Sequence, residues 1–247
     1  MLTPTQLKEI ARRSSITPYY EEKEYLQHIF LYNLFKENKD FVFKGGTCLR
    51  IAYKFPRFSE DLDFNSNAKI GKVQETVDKT LESFNLLGIR NEYIKKEPFE
   101  ESFTAKIMFY GPLYAEGRRD STNSIQLDIG RRDKILLEPK WVQVNPLYPD
   151  VPKFFVQAMD ETEILAEKIR ALYMRSLPRD LFDVWSMINA QIKPDMELVE
   201  KKMVGKQKKT TLCTQKEYER DIKNLLPALP PYKQVISDLK KFKIIPS

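Results

Sequence analysis

Two acidic residues separated by one position follow a glycine pair in the stretch FKGGTCLRIAYKFPRFSEDLDF, which runs from Phe43 to Phe64. Residues i and i+2 of a β-strand project from the same face, so Asp61 and Asp63 are predicted to point the same way. Asp128 occupies the polar face of a second alternating segment, SIQLDIG. If these strands are neighbours in one sheet, three carboxylates converge, and a bound cation removes their mutual repulsion. The spacing therefore predicts a metal site.

The chemical types of the available ligands narrow the choice of metal. His28 is the only histidine, and it lies in the helical pattern YLQHIFLYNLF, which is typical of a solvated or core-edge helix residue. Zinc hydrolases need His or Cys ligands and a Ser–His–Asp triad needs a positioned histidine, so the sequence disfavours both. Carboxylates favour Mg²⁺ or Mn²⁺, and a site with two such ions is suited to phosphoryl transfer.

The glycine pair supplies a predicted site for phosphate. Gly45 and Gly46 are expected to end a strand, with Thr47 opening a helix, so that backbone N–H groups at the turn bind phosphate oxygens. Lys44 and Arg57 are expected to add positive charge, and Ser59 is expected to donate to a phosphate or to cap the turn. The ligand would be a nucleoside triphosphate (NTP) whose phosphates the metal bridges.

Each part of this pattern also has an ordinary structural explanation. A glycine pair alone is a common turn, and an Asp-x-Asp pair alone is commonly a solvated strand edge. The combined order favours nucleotidyl transfer: a strand, two glycines, a hydroxyl, a helix and then two carboxylates.

Hydrophobic periodicity indicates the elements that must position these residues. Helices are predicted in two segments between Pro4 and Glu37, in TCLRIAYKF from Thr47, and in KVQETVDKTLESFNLLG, which stops at Gly88. Strands are predicted in FVF, EDLDF, FTAKIMFYG and SIQLDIG. Beyond the proline-rich connector NPLYPDVPKF, helices are predicted in ETEILAEKIRALYMR, RDLFDVWSMINA and YKQVISDLKKFKII. We therefore predict an α+β domain over residues 1–150 and a helical domain over residues 151–247 that contributes to the active site.

Composition limits the functional classes. The chain has 247 residues, no apolar run long enough to span a membrane and only two cysteines, so we expect a cytoplasmic protein without membrane association. Its formal charge of +6 gives the protein a mild electrostatic attraction for polyanions. Arg131, Arg132 and the lysines between positions 201 and 209 either reach a polynucleotide or are ordinary solvated charge.

The stretch FKGGTCLRIAYKFPRFSEDLDF resembles the first motif of the AbiEii/AbiGii-type nucleotidyltransferase toxins, a branch of the DNA-polymerase-β-like superfamily. SIQLDIG resembles the second-motif strand of that family, and AEKIRALYMRSLPRDLFDVW resembles its later motifs. The similarity covers residues 20–190. It implies a nucleotidyltransferase-like mixed sheet flanked by helices and followed by a helical C-terminal half.

The resemblance also implies a function. Relatives move a nucleoside monophosphate (NMP) from an NTP to an acceptor that can be tRNA, and they are commonly paired with an antitoxin in abortive phage infection. Carried to this chain, it assigns phosphate binding to Gly45, Gly46, Thr47 and Ser59, and metal binding to Asp61 and Asp63. It places two further residues in the active site, Lys168 and Asp183, with Asp180 as an alternative to Asp183.

The helical segment around Lys168 is consistent with an anion nearby. Lys168 shares a mostly apolar helix face, and burying a lysine is costly unless it meets a negative charge. That charge is either a triphosphate or Asp183, and the second case alone would be a structural ion pair. Two other functions stay open: nucleotidylation of a protein or a small molecule, and a catalytically idle basic module that binds nucleic acid or a partner.

Overall fold

The computed structural model describes residues 1–131, 134–204 and 212–245. Arg132 and the lysines beyond Val204 in the basic stretch lie outside the described residues. Two compact units are present: Met1–Lys54 with Phe58–Met159, and Phe55–Arg57 with Asp160–Ser247. None of the helices in the described ranges combines the length and the apolar character that crossing a membrane requires.

A seven-stranded mixed sheet forms the centre of the first unit, in the order β3-β4-β5-β2-β1-β7-β6. Its central strand β2 is parallel to β5 and antiparallel to β1, and β1 is parallel to β7. The strands are β1 Phe41–Lys44, β2 Leu62–Ser66, β3 Arg90–Pro98, β4 Ser102–Tyr110, β5 Asn123–Gly130, β6 Lys140–Val144 and β7 Phe154–Ala158. The predicted α+β class with a mixed sheet flanked by helices is confirmed.

Four α-helices accompany this sheet in the described part of the first unit: α1 Pro4–Ser14, α2 Pro18–Glu37, α3 Gly45–Ile51 and α4 Ile70–Leu86. Thr3 and Thr17 cap the first two with their side chains, and a proline follows each cap. The helix α2 contacts β5 and β7, and it buries Leu26, Phe30 and Leu34 almost completely. A short 3₁₀ helix, Arg119–Ser121, lies between β4 and β5.

The second unit is helical. Its α-helices within the described residues are α5 Glu161–Arg175, α6 Pro178–Asn189, α7 Met196–Met203, α8 Gln215–Ile222 and α9 Tyr232–Lys241, with a 3₁₀ helix at Lys223–Leu225. The helix α5 packs on α6 and α7, and α6 packs on α8 and α9. Ser176 adopts the left-handed conformation that ends α5, and Pro178 begins α6 two residues later.

Three strands, one strand boundary and one helix boundary differ from the predictions. Strand β2 begins at Leu62, so Asp61 lies just before it and not inside the predicted strand EDLDF. Strand β3 has charged residues at most positions, and β6 and β7 flank the proline-rich segment, so none of the three shows a clear apolar alternation. The helix α3 begins at Gly45, two residues before the predicted start at Thr47. Gly45 has a φ of 76°, which lets the chain turn directly from β1 into the helix.

Candidate active site

A row of polar residues crosses the first unit's sheet in register. Lys44 of β1 lies opposite Asp63 of β2, Asp63 opposite Asp128 of β5, and Asp128 opposite Thr104 of β4. Adjacent strands are about 4.8 Å apart, so the two aspartates are direct neighbours on the sheet. Their side chains share one face, as residues paired across two strands do.

The opposite face of the same strands holds both aspartates in place. Leu62, Phe64, Leu127 and Ile129 alternate with the two carboxylates and are at most 1% exposed. Turning either strand over would expose this apolar set, so the packing determines which way the carboxylates point. Asp63 and Asp128 themselves are half-buried.

Thr104 is a polar neighbour that the sequence analysis did not identify. Its Oγ1 donates a hydrogen bond to Oδ1 of Asp128 over 2.9 Å. The only signal in the sequence was its place on the polar face of the alternating segment FTAKIMFYG. The hydrogen bond restrains the orientation of the Asp128 carboxylate.

Gly45 lies directly against Asp63. A Cβ atom at Gly45 would overlap Oδ2 of Asp63, and the left-handed φ of 76° already disfavours other residues. The glycine is therefore needed for two independent reasons, the turn and the close approach of the carboxylate. This contact brings the predicted phosphate-binding turn and a predicted metal ligand together within one unit.

The segment before β2 is tied down by two side chains. Thr47 is fully buried, and its hydroxyl donates to the backbone carbonyl of Asp61. Gln27 of α2 donates to the carbonyls of Ser59 and Glu60 over 3.1 and 3.0 Å. Thr47 and Gln27 thus position the backbone that leads to Asp61, while the predicted role of Thr47 in phosphate binding stays a prediction.

Within the described ranges, no three His, Cys, Asp or Glu side chains are arranged to hold a metal ion. The residues present nevertheless fit Mg²⁺. Proteins commonly hold this ion through one or two carboxylates, with water and substrate phosphates completing the octahedron. Asp63 and Asp128 offer two adjacent carboxylates with hard oxygen donors. The metal roles of Asp61, Asp63 and Asp128 stay predictions.

In the second unit, Lys168 of α5 meets the two aspartates of α6. Its Nζ lies 2.8 Å from Oδ2 of Asp183 and 3.4 Å from Oδ1 of Asp180. Arg175 donates to both carboxylate oxygens of Asp180, with Nε 2.8 Å from Oδ2 and Nη2 3.1 Å from Oδ1. Of the two aspartates left open by the sequence, Asp183 is therefore the closer partner of Lys168.

Arg57 completes this ionic network. Its Nε and Nη2 donate to the two carboxylate oxygens of Asp183 over 2.7 and 2.8 Å, and both side chains are 4% exposed. Burial would raise the pKa of Asp183, but Arg57 and Lys168 outweigh it and lower that pKa to about 2. Burial likewise opposes the charge of Lys168, yet Asp183 and Asp180 keep its pKa above the ordinary value. The sequence analysis placed Arg57 at the nucleotide and did not identify this pair.

Comparison with known proteins identifies the family of the chain. The family model described as "Nucleotidyl transferase AbiEii toxin, Type IV TA system" matches residues 29–242. No curated protein matches the chain.

Two solved structures have a similar fold. The nucleotidyltransferase toxin MenT4 from Mycobacterium tuberculosis H37Rv superposes with a TM-score of 0.71 at 18% identity, over 99% of this chain and 89% of that one. JHP933 from Helicobacter pylori superposes with a TM-score of 0.62 at 18% identity, over 92% and 91% of the two chains. From its sequence match, the chain belongs to the AbiEii family of nucleotidyltransferase toxins of type IV toxin–antitoxin systems.

Proposed function

We propose that this nucleotidyltransferase uses Mg²⁺ to transfer an NMP from an NTP to tRNA, and that a cognate antitoxin restrains it. One observation carries the proposal: Asp63 and Asp128 are adjacent on parallel strands, and Asp63 touches the glycine turn at Gly45. In that arrangement two candidate metal ligands on the sheet would lie beside backbone donors for phosphate at the start of α3.

The carboxylates act by holding and orienting the substrate. Asp63 and Asp128, with Asp61 beside them in the sequence, would bind Mg²⁺, which when bound neutralises the triphosphate and activates the acceptor hydroxyl. Thr104 keeps the Asp128 carboxylate in one orientation. The glycine turn at Gly45 and Gly46 offers backbone N–H groups to the phosphates, and Lys44 at the end of β1 adds positive charge.

Lys168 and Asp183 are proposed to act in the same reaction. The support is the similarity of their segment to the later motifs of the family and the placement of a positive charge at Lys168, whose side chain is only 12% exposed. Lys168 would neutralise charge on the transferred phosphate, because a lysine ammonium is a compact donor for phosphate oxygens. Asp183 would position Lys168, since its two oxygens are already engaged by Arg57 and Lys168.

The acceptor and the antitoxin rest on the family resemblance. The type IV toxin–antitoxin family implies an antitoxin partner. The formal charge of +6 suits a polyanionic acceptor such as tRNA. A protein or small-molecule acceptor would give a different destination for the transferred nucleotide.

The test is incubation of the protein with each α-³²P-labelled NTP, Mg²⁺ and a cell extract, followed by separation of RNA, protein and small molecules. We expect label in the tRNA fraction, and none when EDTA removes the metal. Label in protein or in a small molecule would contradict only the choice of tRNA as acceptor, and nucleotidyl transfer itself would stand. Absence of transfer from all four NTPs under every condition would contradict the proposed reaction.

A pair of variants tests the site itself. Asp63→Asn should reduce transfer at least about a thousandfold, because an amide cannot replace a metal-binding carboxylate. Asp120→Asn makes the same change in the exposed 3₁₀ helix Arg119–Ser121, where Asp120 pairs only with exposed Arg118 among the described residues, and should leave transfer unchanged. Circular dichroism and thermal melting verify that both variants fold. Full activity in Asp63→Asn would show that Asp63 holds no essential metal.

A further inference from the structure

The row of paired residues has a direction. It begins at the glycine turn beside β1, passes Asp63 and Asp128, reaches Thr104 of β4 and continues to Glu97 of β3. The proposed triphosphate lies at the β1 end of this row. An acceptor hydroxyl that attacks at the carboxylates can approach from the other end of the row, over β5, β4 and β3.

Two lysines oppose each other on that approach. Lys106 lies two residues beyond Thr104 on the same face of β4, about 7 Å along the strand. Its register partner on β3 is Lys95, and its partner on β5 is Gln126. Like charges directly opposite each other destabilise a sheet unless an anion compensates them.

Among the described residues, an acidic partner compensates one of these two lysines. Lys95 pairs with Glu97, with 2.8 Å between Nζ and Oε2. No ion pair or hydrogen bond engages the Lys106 ammonium in the described part of the chain, and this side chain is exposed. Lys106 is thus an exposed cation on the same strand face as Thr104, the register partner of Asp128, and lies two residues along the strand from it.

A flat stacking surface lies further along the same face. Tyr110, about 20 Å from Thr104 along β4, carries the Arg90 guanidinium over its ring at 3.7 Å from the centroid. Its hydroxyl donates to Glu92 over 2.6 Å, which holds the ring in place. Tyrosine rings and arginine planes are the surfaces on which proteins stack unpaired RNA bases.

We propose that the face of β4 from Thr104 to Tyr110 binds the acceptor strand, with Lys106 contacting the backbone phosphate nearest the attacking hydroxyl and the Arg90–Tyr110 pair stacking a base upstream. The inference rests on the proposed function, because it takes the acceptor to be a single-stranded RNA end. It adds two binding residues, Lys106 and Tyr110, that motif spacing does not reveal.

The experiment measures equilibrium binding of fluorescently labelled bulk tRNA by anisotropy, without NTP, at several KCl concentrations. For Lys106→Gln we expect a Kd roughly tenfold higher, because a charge-assisted phosphate contact is lost. The slope of log Kd against log salt should also fall by about 0.7, the value for one contact to a single strand. For Tyr110→Leu the affinity should fall about tenfold with an unchanged salt slope, because stacking releases no counterions.

Lys79→Gln is the matched control. Lys79 is an exposed lysine on α4, the helix that contacts β4 through Phe84 and Phe109 on the buried face of the sheet. The charge change is identical, so Kd and slope should stay at the wild-type values. An equal loss in Lys79→Gln, or wild-type binding by Lys106→Gln, would overturn the inference, as would a wild-type protein that does not bind tRNA.

The two proposals fail separately. If the wild type transfers label to tRNA and Lys106→Gln binds and transfers normally, the proposed acceptor-binding face of β4 is wrong and the proposed reaction stands. If no NTP is used but the two variants show the expected binding pattern, the reaction is wrong and the RNA-binding face stands.

Discussion

Arg57 and Asp183, 126 positions apart in the sequence, form a buried two-point ion pair in which Nε and Nη2 each meet one carboxylate oxygen. Arg57 precedes Asp61 by four residues in the stretch that carries the first motif, and Asp183 lies in the segment that resembles a later one. A planar guanidinium matches both oxygens of a carboxylate, which a lysine ammonium does not. The pair therefore gives Arg57 a positioning role toward Asp183.

Arg57→Lys should lower the free energy of unfolding although the positive charge is kept. A lysine reaches one carboxylate oxygen and leaves the other without its partner, which we expect to cost about 1–3 kcal/mol of unfolding free energy. Arg50→Lys is the control, because the ion pair that joins Arg50 Nε to Glu24 over 3.0 Å lies at a more exposed place than the Arg57–Asp183 pair. Urea denaturation should show less than about 1 kcal/mol of change there. Equal changes in the two variants would contradict the two-point role of Arg57.

Acid should remove the stabilisation that Asp183 provides. Its pKa of about 2 in the folded protein lies below the ordinary value, so the folded state binds its proton only at lower pH than the unfolded state does. The contribution is complete above about pH 4 and is lost as the pH falls toward 2, for a total on the order of 2 kcal/mol. Urea midpoints measured between pH 5 and 2.5 should fall less steeply in Asp183→Asn than in the wild type. Parallel curves for the two proteins would be evidence against this linkage.

Lys168→Gln separates a catalytic lysine from a structural one. Lys202 is the matched control, since it is also buried and lies 2.5 Å from Glu163 and 3.1 Å from Glu167. Both variants remove one cation from a buried ionic network, although Arg57 and Arg175 still pair with Asp183 and Asp180 in Lys168→Gln, and both should lower the free energy of unfolding by up to about 3–5 kcal/mol. Measured at a temperature and osmolyte concentration where both are folded, only Lys168→Gln should lose NMP transfer, by at least about a hundredfold. Retained transfer in Lys168→Gln would favour the purely structural ion pair.

Gly45→Ala should disturb the carboxylates more than it disturbs the fold. The new Cβ would displace Asp63, in addition to the cost of a left-handed backbone. Gly88→Ala is the control, because Gly88 has a φ of 74° with open space around it. Gly88→Ala should cost about 1 kcal/mol in thermal unfolding and keep full transfer activity. Gly45→Ala should lose transfer, and normal kinetics in that variant would contradict the contact with Asp63.

The sequence was informative where local rules apply. Helical periodicity located α5 at its observed limits, and alternation located β4 and β5, because each pattern reports a face that packs on one core. It was uninformative for β3, β6 and β7, because charged residues and nearby prolines hide any apolar alternation. These segments are strands because they form hydrogen bonds with neighbouring strands of the sheet. The start of α3 at Gly45 was also missed, because it depends on the left-handed φ of Gly45, which residue type alone does not reveal.

The sequence by itself determined the types of chemistry available: carboxylates spaced for one face of a strand, a glycine turn before them, and a lysine that needs an anion. Those follow from residue type and from the periods of strands and helices. Only the tertiary structure decided that Asp63 and Asp128 are register partners, that Thr104 holds Asp128, and that Arg57 belongs to Asp183. Such pairings join residues far apart in the chain, and they are set by which strands and helices pack together in the folded core.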